Sequence, residues 1–165
     1  MDDLSLRILG IDPGLNITGY GVLEGMAPRP VVREAGVIRP PRDADLSARV
    51  GEIFDGVAEV IETFRPQVVV VEQLYAHYKH PRTAILMGHA RGAVLVAAAQ
   101  ADVPVTSYSA SRIKKTITGH GRAAKDQVQR TIMRELGLVR LPEPPDVADA
   151  LAIALCHFYL QRAPA

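Results

Sequence analysis

Four consecutive valines, Val68 to Val71, followed by Glu72, constrain this chain more than any other stretch. A β-strand alternates its side chains between two faces, so a strand with one wet face reads apolar, polar, apolar. An unbroken valine run must be buried on both faces. Such strands sit in the middle of sheets covered by helices on each side. The segment before it supplies one helix: Leu46, Val50, Ile53, Phe54, Val57, Val60, Ile61 and Phe64 recur at three- and four-residue spacing, Asp45 or Ser47 can cap the start, and Pro66 closes it. A strand, helix, strand order implies a right-handed crossover that lays the valine strand parallel to an earlier one.

The earlier strands are legible. Leu6 to Asp12 (LRILGID) ends in the turn pair Pro13-Gly14, residues 17–23 return as a hairpin, and residues 31–38 extend it to a three-stranded antiparallel meander that Pro40-Pro41 stops. Downstream, residues 82–101 predict an alanine-rich helix and residues 103–108 a fifth strand. Ser109 caps a short helix to about residue 117, residues 123–136 read as a helix stopped by Gly137, residues 142–145 as a loop, and residues 146–161 as the last helix. The expectation is one α/β domain over residues 1–165: a five-stranded mixed sheet flanked by helices. A hydrophobic share of 48% against 22% charged fits a self-folding globule and excludes a disordered chain. The single cysteine, Cys156, excludes an intramolecular disulfide and suits a reducing cytoplasm. The opening Met1-Asp2-Asp3 lacks an export pattern, and the longest apolar run, residues 93–99, is far short of a membrane span.

Acids at strand ends carry the functional signal. Asp12 finishes the first strand and Glu72 the valine strand; as parallel neighbours these ends lie about 4.8 Å apart. Ligands of open α/β sheets bind outside such carboxyl ends, where strand order reverses. Two carboxylates held together share a proton or hold a cation. The last helix opens Asp146-Val147-Ala148-Asp149, an i, i+3 pair. Either aspartate alone is explained by capping and the helix dipole, but the helix is so apolar that the stripe bearing Asp149 is expected to face the sheet. Four carboxylates without Cys or His spacing describe a hard-cation site for Mg²⁺ or Mn²⁺.

The net charge of +1 conceals a split: residues 1–72 hold 7 basic and 12 acidic groups, and residues 73–165 hold 12 and 6. Charge asymmetry between halves hints at nucleic acid. The basic excess gathers at Arg112, Lys114, Lys115, Arg122, Lys125, Arg130 and Arg134; for the last two, a solvated helical face is the better reading. The Gly119-His120-Gly121 loop beside a helix start suits backbone contact with phosphate. Its Gly119-x-Gly121-x-x-Ala124 spacing mimics a dinucleotide fingerprint but follows a helix rather than a strand, so that reading is rejected.

Taken together, Gly10-Ile11-Asp12-Pro13-Gly14 with Thr18-Gly19-Tyr20-Gly21, Val71-Glu72-Gln73, Gly119-His120-Gly121-Arg122-Ala123-Ala124-Lys125, and the run from Asp146 to Ala152 resemble the RuvC family of Holliday-junction resolvases. The motifs stand in family order across nearly the whole chain. The resemblance implies a ribonuclease H-like fold, a homodimer, and a nuclease with two Mg²⁺ ions per site, Mn²⁺ being possible, which nicks four-way junction DNA symmetrically during recombination and repair. It matches Asp12, Glu72, Asp146 and Asp149 to the family's catalytic metal ligands. The third of these is a histidine in some members, which leaves ligation and base chemistry both open for Asp146. It also implies DNA contact by Lys114 and Lys125, with Lys115 and Arg122 in the same basic cluster, and base stacking by Tyr75. A RuvA-RuvB branch-migration complex is the implied partner.

Three readings stay open. His77-x-x-His80 has no third metal ligand in view and reads as part of a DNA-facing segment. Gly88 and Gly92 on the alanine-rich helix mark either a dimer face or burial against the protomer's own sheet. A noncatalytic junction-binding protein of the same fold is the alternative to the enzyme. An actin-like ATPase, which shares Asp-x-Gly on a first strand, needs a second domain for which 165 residues leave no room.

Overall fold

The computed structural model describes residues 5–25, 28–74 and 79–162. Strands β1 (Leu6–Asp12), β2 (Thr18–Gly25) and β3 (Val31–Ile38) form the antiparallel meander, followed by α1 (Leu46–Phe64), β4 (Val68–Glu72), α2 (Pro81–Gln100), β5 (Val105–Tyr108), α3 (Ala110–Thr118), α4 (Lys125–Leu136) and α5 (Pro145–Leu160). The sheet order is β3-β2-β1-β4-β5, with β4 parallel to both β1 and β5. The valine strand is therefore interior, with a neighbour on each side, as its composition requires, and the order reverses between β1 and β4.

The four valines divide between two cores. Val68 and Val70 pack with Ile113, Ile132, Leu151, Leu155 and Phe158 under α3, α4 and α5. Val69 and Val71 pack with Ile53, Val57, Ile61, Ala90, Val94 and Ala97 under α1 and α2. None of the four is more than 6% exposed, and burial of each contributes about 2 kcal/mol.

Helix α5 lies unusually close to the sheet, and glycine is the reason. A Cβ on Gly10 would run into the Ala150 carbonyl and stand 2.8 Å from the Ala154 nitrogen, and one on Gly19 would run into the Asp146 carbonyl. With no side chains between them, the backbone of α5 rests on β1 and β2, so its first turn reaches the end of β1.

Expected and observed boundaries differ by one or two residues at several places, three of which have a local cause. Strand β5 starts at Val105, because Val103 donates to the Ala98 carbonyl in closing α2 and Pro104 has no N–H. Helix α4 starts at Lys125, after a turn in which Ala123 donates to His120. Pro145 opens α5, a position where its missing N–H costs nothing. Among the described residues, no helix is long and apolar enough to cross a membrane.

Candidate active site

Register decides where the acids point. Along β1 and β4, Leu9, Ile11, Val69 and Val71 face α1 and α2, while Ile8, Val68 and Val70 face α5. Two-residue alternation then sends Asp12 and Glu72 to the α5 side. There they line a cleft of about 250 Å³ together with Lys114 of α3, Lys125 and Gln129 of α4, and Asp149 of α5. Its floor is apolar, made by Ile113, Ile132, Ala152 and Ile153.

The electrostatics are those of crowded anions. Burial, then the charges of Asp149, Asp146 and Glu72, push the Asp12 carboxyl up to about 7 against an opposing pull from Lys125. Burial and Asp149 also raise Glu72, with Lys114 pulling it down. Asp149 is raised by burial and by Asp146, and lowered by Lys125, whose Nζ stands 3.5 Å from its Oδ2. That pair is well exposed, so its stabilising value is under about 1 kcal/mol.

Five of the residues singled out in the sequence thus meet in one cleft: Asp12, Glu72, Asp149, Lys114 and Lys125. Asp146 acts electrostatically on Asp12 and Asp149 but lines the adjoining groove, beside Gly14, Asn16 and Arg49. Among the described residues, no three His, Cys, Asp or Glu side chains stand close enough to share one ion. Lys115 and Arg122 are exposed outside the cleft lining. Arg130 pairs with Asp126 one turn earlier and Arg134 with Glu135, as a solvated face should. Tyr75 and His77 lie outside the described residues; His80 is the exposed N-cap of α2. In the glycine loop, Gly119 donates its N–H to the Lys115 carbonyl and His120 to Thr118 Oγ1. Those two N–H groups are used internally, and the helix starts at Lys125, two residues beyond the expected residue 123.

Known proteins resemble this chain in both sequence and fold. The family profile described as crossover junction endodeoxyribonuclease RuvC matches residues 8–157. The chain belongs to the RuvC family. A crossover junction endodeoxyribonuclease RuvC of Rhodopirellula baltica is 52% identical over 95% of this chain and 88% of its own length. That of Halorhodospira halophila is 49% identical over 96% and 93%. Among solved structures, RuvC of Thermus thermophilus superposes with a TM-score of 0.87 at 40% identity, covering 95% of this chain and 96% of that one. The same protein in complex with Holliday junction substrate gives 0.90 at 39% identity, covering 95% of both.

As a RuvC-family member the chain is an endonuclease, and its mixed sheet is of the ribonuclease H-like kind. Two features of the site escaped the sequence reading. Gln129 lines the cleft with no distinguishing pattern around it. Arg91 sits behind the strand ends, and it did leave a trace: it is the sole charged residue between Thr83 and Gln100 in an otherwise apolar helix.

Proposed function

We propose that this chain resolves four-way DNA junctions by metal-dependent hydrolysis, nicking two symmetry-related strands as a cytoplasmic homodimer in which residues 1–165 act as one nuclease domain. The observation that carries the reading is the convergence of Asp12, Glu72 and Asp149, from two neighbouring strand ends and one helix, in a cleft flanked by Lys114 and Lys125. An acidic cleft is a poor place for a phosphodiester unless cations occupy it.

The donor set fits such cations. All its side chains are carboxylates, the preference of Mg²⁺ and Mn²⁺, and the Asp12 carboxyl, its pKa raised first by burial and then by its acidic neighbours, carries a charge that a divalent ion would stabilise. Among the described residues no three carboxylates stand close enough to share one ion, so Asp12, Glu72 and Asp149 would divide between two ions, with Asp146 completing the set from the adjoining groove. Two ions held there would supply Lewis acidity, that is, a lower pKa for the attacking water and charge stabilisation for the departing 3′ oxygen of an in-line displacement. The protein's part is positioning and charge. Lys114 and Lys125 offer cations to the scissile phosphate and hold down the pKa of Glu72 and Asp149 respectively. Lys115 and Arg122, exposed beyond the cleft, contact backbone phosphates without reading sequence. Tyr75, three residues past Glu72 in the sequence, is assigned to stacking on an unpaired base, worth about 1 to 3 kcal/mol.

The homodimer is supported by α2. One side of this helix, through Ala90, Ala93, Val94, Ala97 and Ala98, covers the sheet. The other carries Ile85 at 62% and Val96 at 50% exposure, and a Cβ on Gly92 would meet nothing within 4 Å. Ile85, Gly88, Gly92 and Val96 share one helical stripe. A branch-migration motor of the RuvA-RuvB kind would present the junction to the dimer.

The deciding experiment is Asp12→Asn assayed separately for binding and cutting of a labelled four-way junction. Binding should persist in chelator and cleavage should fall at least about a thousandfold. Normal cleavage by the variant, or by the native chain in chelator, would overturn the assignment. Retained binding with no cleavage by the native chain in Mg²⁺ or Mn²⁺ would favour the noncatalytic alternative.

A further inference from the structure

Arg91 is placed where a surface cation has no reason to be. It projects from α2 toward the sheet, on the side opposite the cleft, and is half-buried. Its Nη2 donates to Ser107 Oγ at 2.8 Å, and its Nε makes a long hydrogen bond, 3.5 Å, to the backbone carbonyl of Glu72. With Met87, Leu74, Pro13 and Gln73 it lines a small pocket whose far wall is Asp12 and Glu72.

The end of β4 needs such support. The rungs joining β1 to β4 run from Ile8↔Val68 to Ile11↔Val71 and stop there, one residue short of Glu72. On the other side Val69 and Gln73 donate to the carbonyls of Pro104 and Tyr108 in and beside β5. In a parallel sheet the peptide groups of alternate residues face alternate neighbours, so the Glu72 peptide faces β1, where the ladder has ended. Arg91 reaches that peptide from below and ties it, through Ser107, to β5. Its charge is not the means: the cations acting on Asp12 and Glu72 are Lys125 and Lys114.

We infer that Arg91 is a positioning residue, whose guanidinium fork fixes the backbone of Glu72 from the α2 side and so sets the carboxylate spacing of the metal site. This rests on the reading of Glu72 as a metal ligand. A planar fork can bridge a carbonyl and a hydroxyl with directed N–H groups, whereas the ammonium of lysine is a point charge on a flexible stem. Charge conservation should therefore not rescue the site.

The test uses Arg91→Lys and Arg91→Gln with Glu72→Gln as reference, and Ser107→Ala as a milder variant that removes one anchor of the fork and leaves the arginine in place. Mn²⁺ binding to the DNA-free protein is measured by calorimetry, junction binding in chelator, and nicking against Mg²⁺ concentration. Both Arg91 variants should bind junction as the native chain does, weaken Mn²⁺ about tenfold, and shift the Mg²⁺ dependence of nicking upward by a similar factor. Ser107→Ala should move both readouts the same way by about threefold. Native Mn²⁺ affinity in Arg91→Gln, or native behaviour in Arg91→Lys alone, would overturn the inference. Should the Arg91 variants fail to fold, unchanged Mn²⁺ binding in Ser107→Ala would overturn it as well. If Glu72→Gln itself leaves Mn²⁺ binding unchanged, it is the metal-ligand reading of Glu72 that has failed.

Discussion

The two faces of the sheet are built on different rules. Toward α1 and α2, side-chain volume fills the gap, with Ile53, Val57, Val69, Val71 and Val94 interlocking. Toward α5, volume has been removed at Gly10 and Gly19 so that backbone rests on backbone. An apolar side-chain layer can absorb small shifts because rotamers adjust, while a backbone seat has no rotamers to adjust. The acids lie on the seated side. What differs between the faces is positional tolerance, and the face with less of it carries the chemistry.

The strongest way to break that contrast is to put a methyl group into the seat. Gly10→Ala should cost more than about 3 kcal/mol, because the obstructing atoms belong to the α5 backbone and cannot rotate away. The surviving folded fraction should also have lost nicking activity per molecule, since displacement of α5 carries Asp149 with it. Ile53→Ala, in the opposite core, should cost about 2 to 5 kcal/mol yet leave activity per folded molecule intact. Urea midpoints and specific activity measured together separate the two. A Gly10→Ala protein as stable and active as the native chain would show that α5 is not seated as described.

A smaller effect concerns pH. The folded-state pKa of Asp12, about 7, lies above its ordinary 3.8, so the folded protein binds this proton more tightly than the unfolded chain. Asp12 therefore favours folding most below about pH 4, and that contribution drains away as pH rises to about 7. The metal-free protein should lose on the order of 2 kcal/mol between pH 5 and 8, read as a falling Tm. Mg²⁺ should flatten the slope, because the ion replaces the proton as the neutralising charge. In Asp12→Asn the slope should be reduced without metal; an undiminished slope would locate the titration elsewhere.

The same contrast explains how much was legible in the sequence. Period-two and period-four patterns report which residues are buried, so the valine strand, the α1 helix and the meander were readable from Val68 to Val71 and from the Leu46 to Phe64 spacing. Asp12 and Glu72 followed, because a strand end is a position that patterning fixes. Asp146 was less accessible: an i, i+3 spacing places it and Asp149 near one another but does not say that the helix turns one into the cleft and the other into the next groove. Arg91 was harder still. A lone cation in an apolar helix signals burial with a partner, yet Ser107 and the Glu72 carbonyl become its partners only once α2 is laid across β4 and β5, which no local pattern specifies. The start of α4 was misplaced because Ala123 and Ala124 favour helix locally, while the observed turn returns the Ala123 N–H to His120.

The smallest predicted effect tests the open side of α2. Gly51, on α1, and Gly92, on α2, are both helical glycines at which a Cβ would meet nothing within 4 Å. In an isolated protomer, alanine at either position should stabilise by up to about 1 kcal/mol, through the lower backbone entropy of the unfolded chain. The two should part company if a second copy covers α2. Gly51→Ala should then raise Tm equally at all protein concentrations, whereas Gly92→Ala should weaken self-association, measured by sedimentation, and its Tm gain should shrink as concentration rises. Identical behaviour of the two variants, with no change in self-association, would leave the stripe of Ile85, Gly88, Gly92 and Val96 outside the dimer interface and require the two-fold contact to be made by another surface.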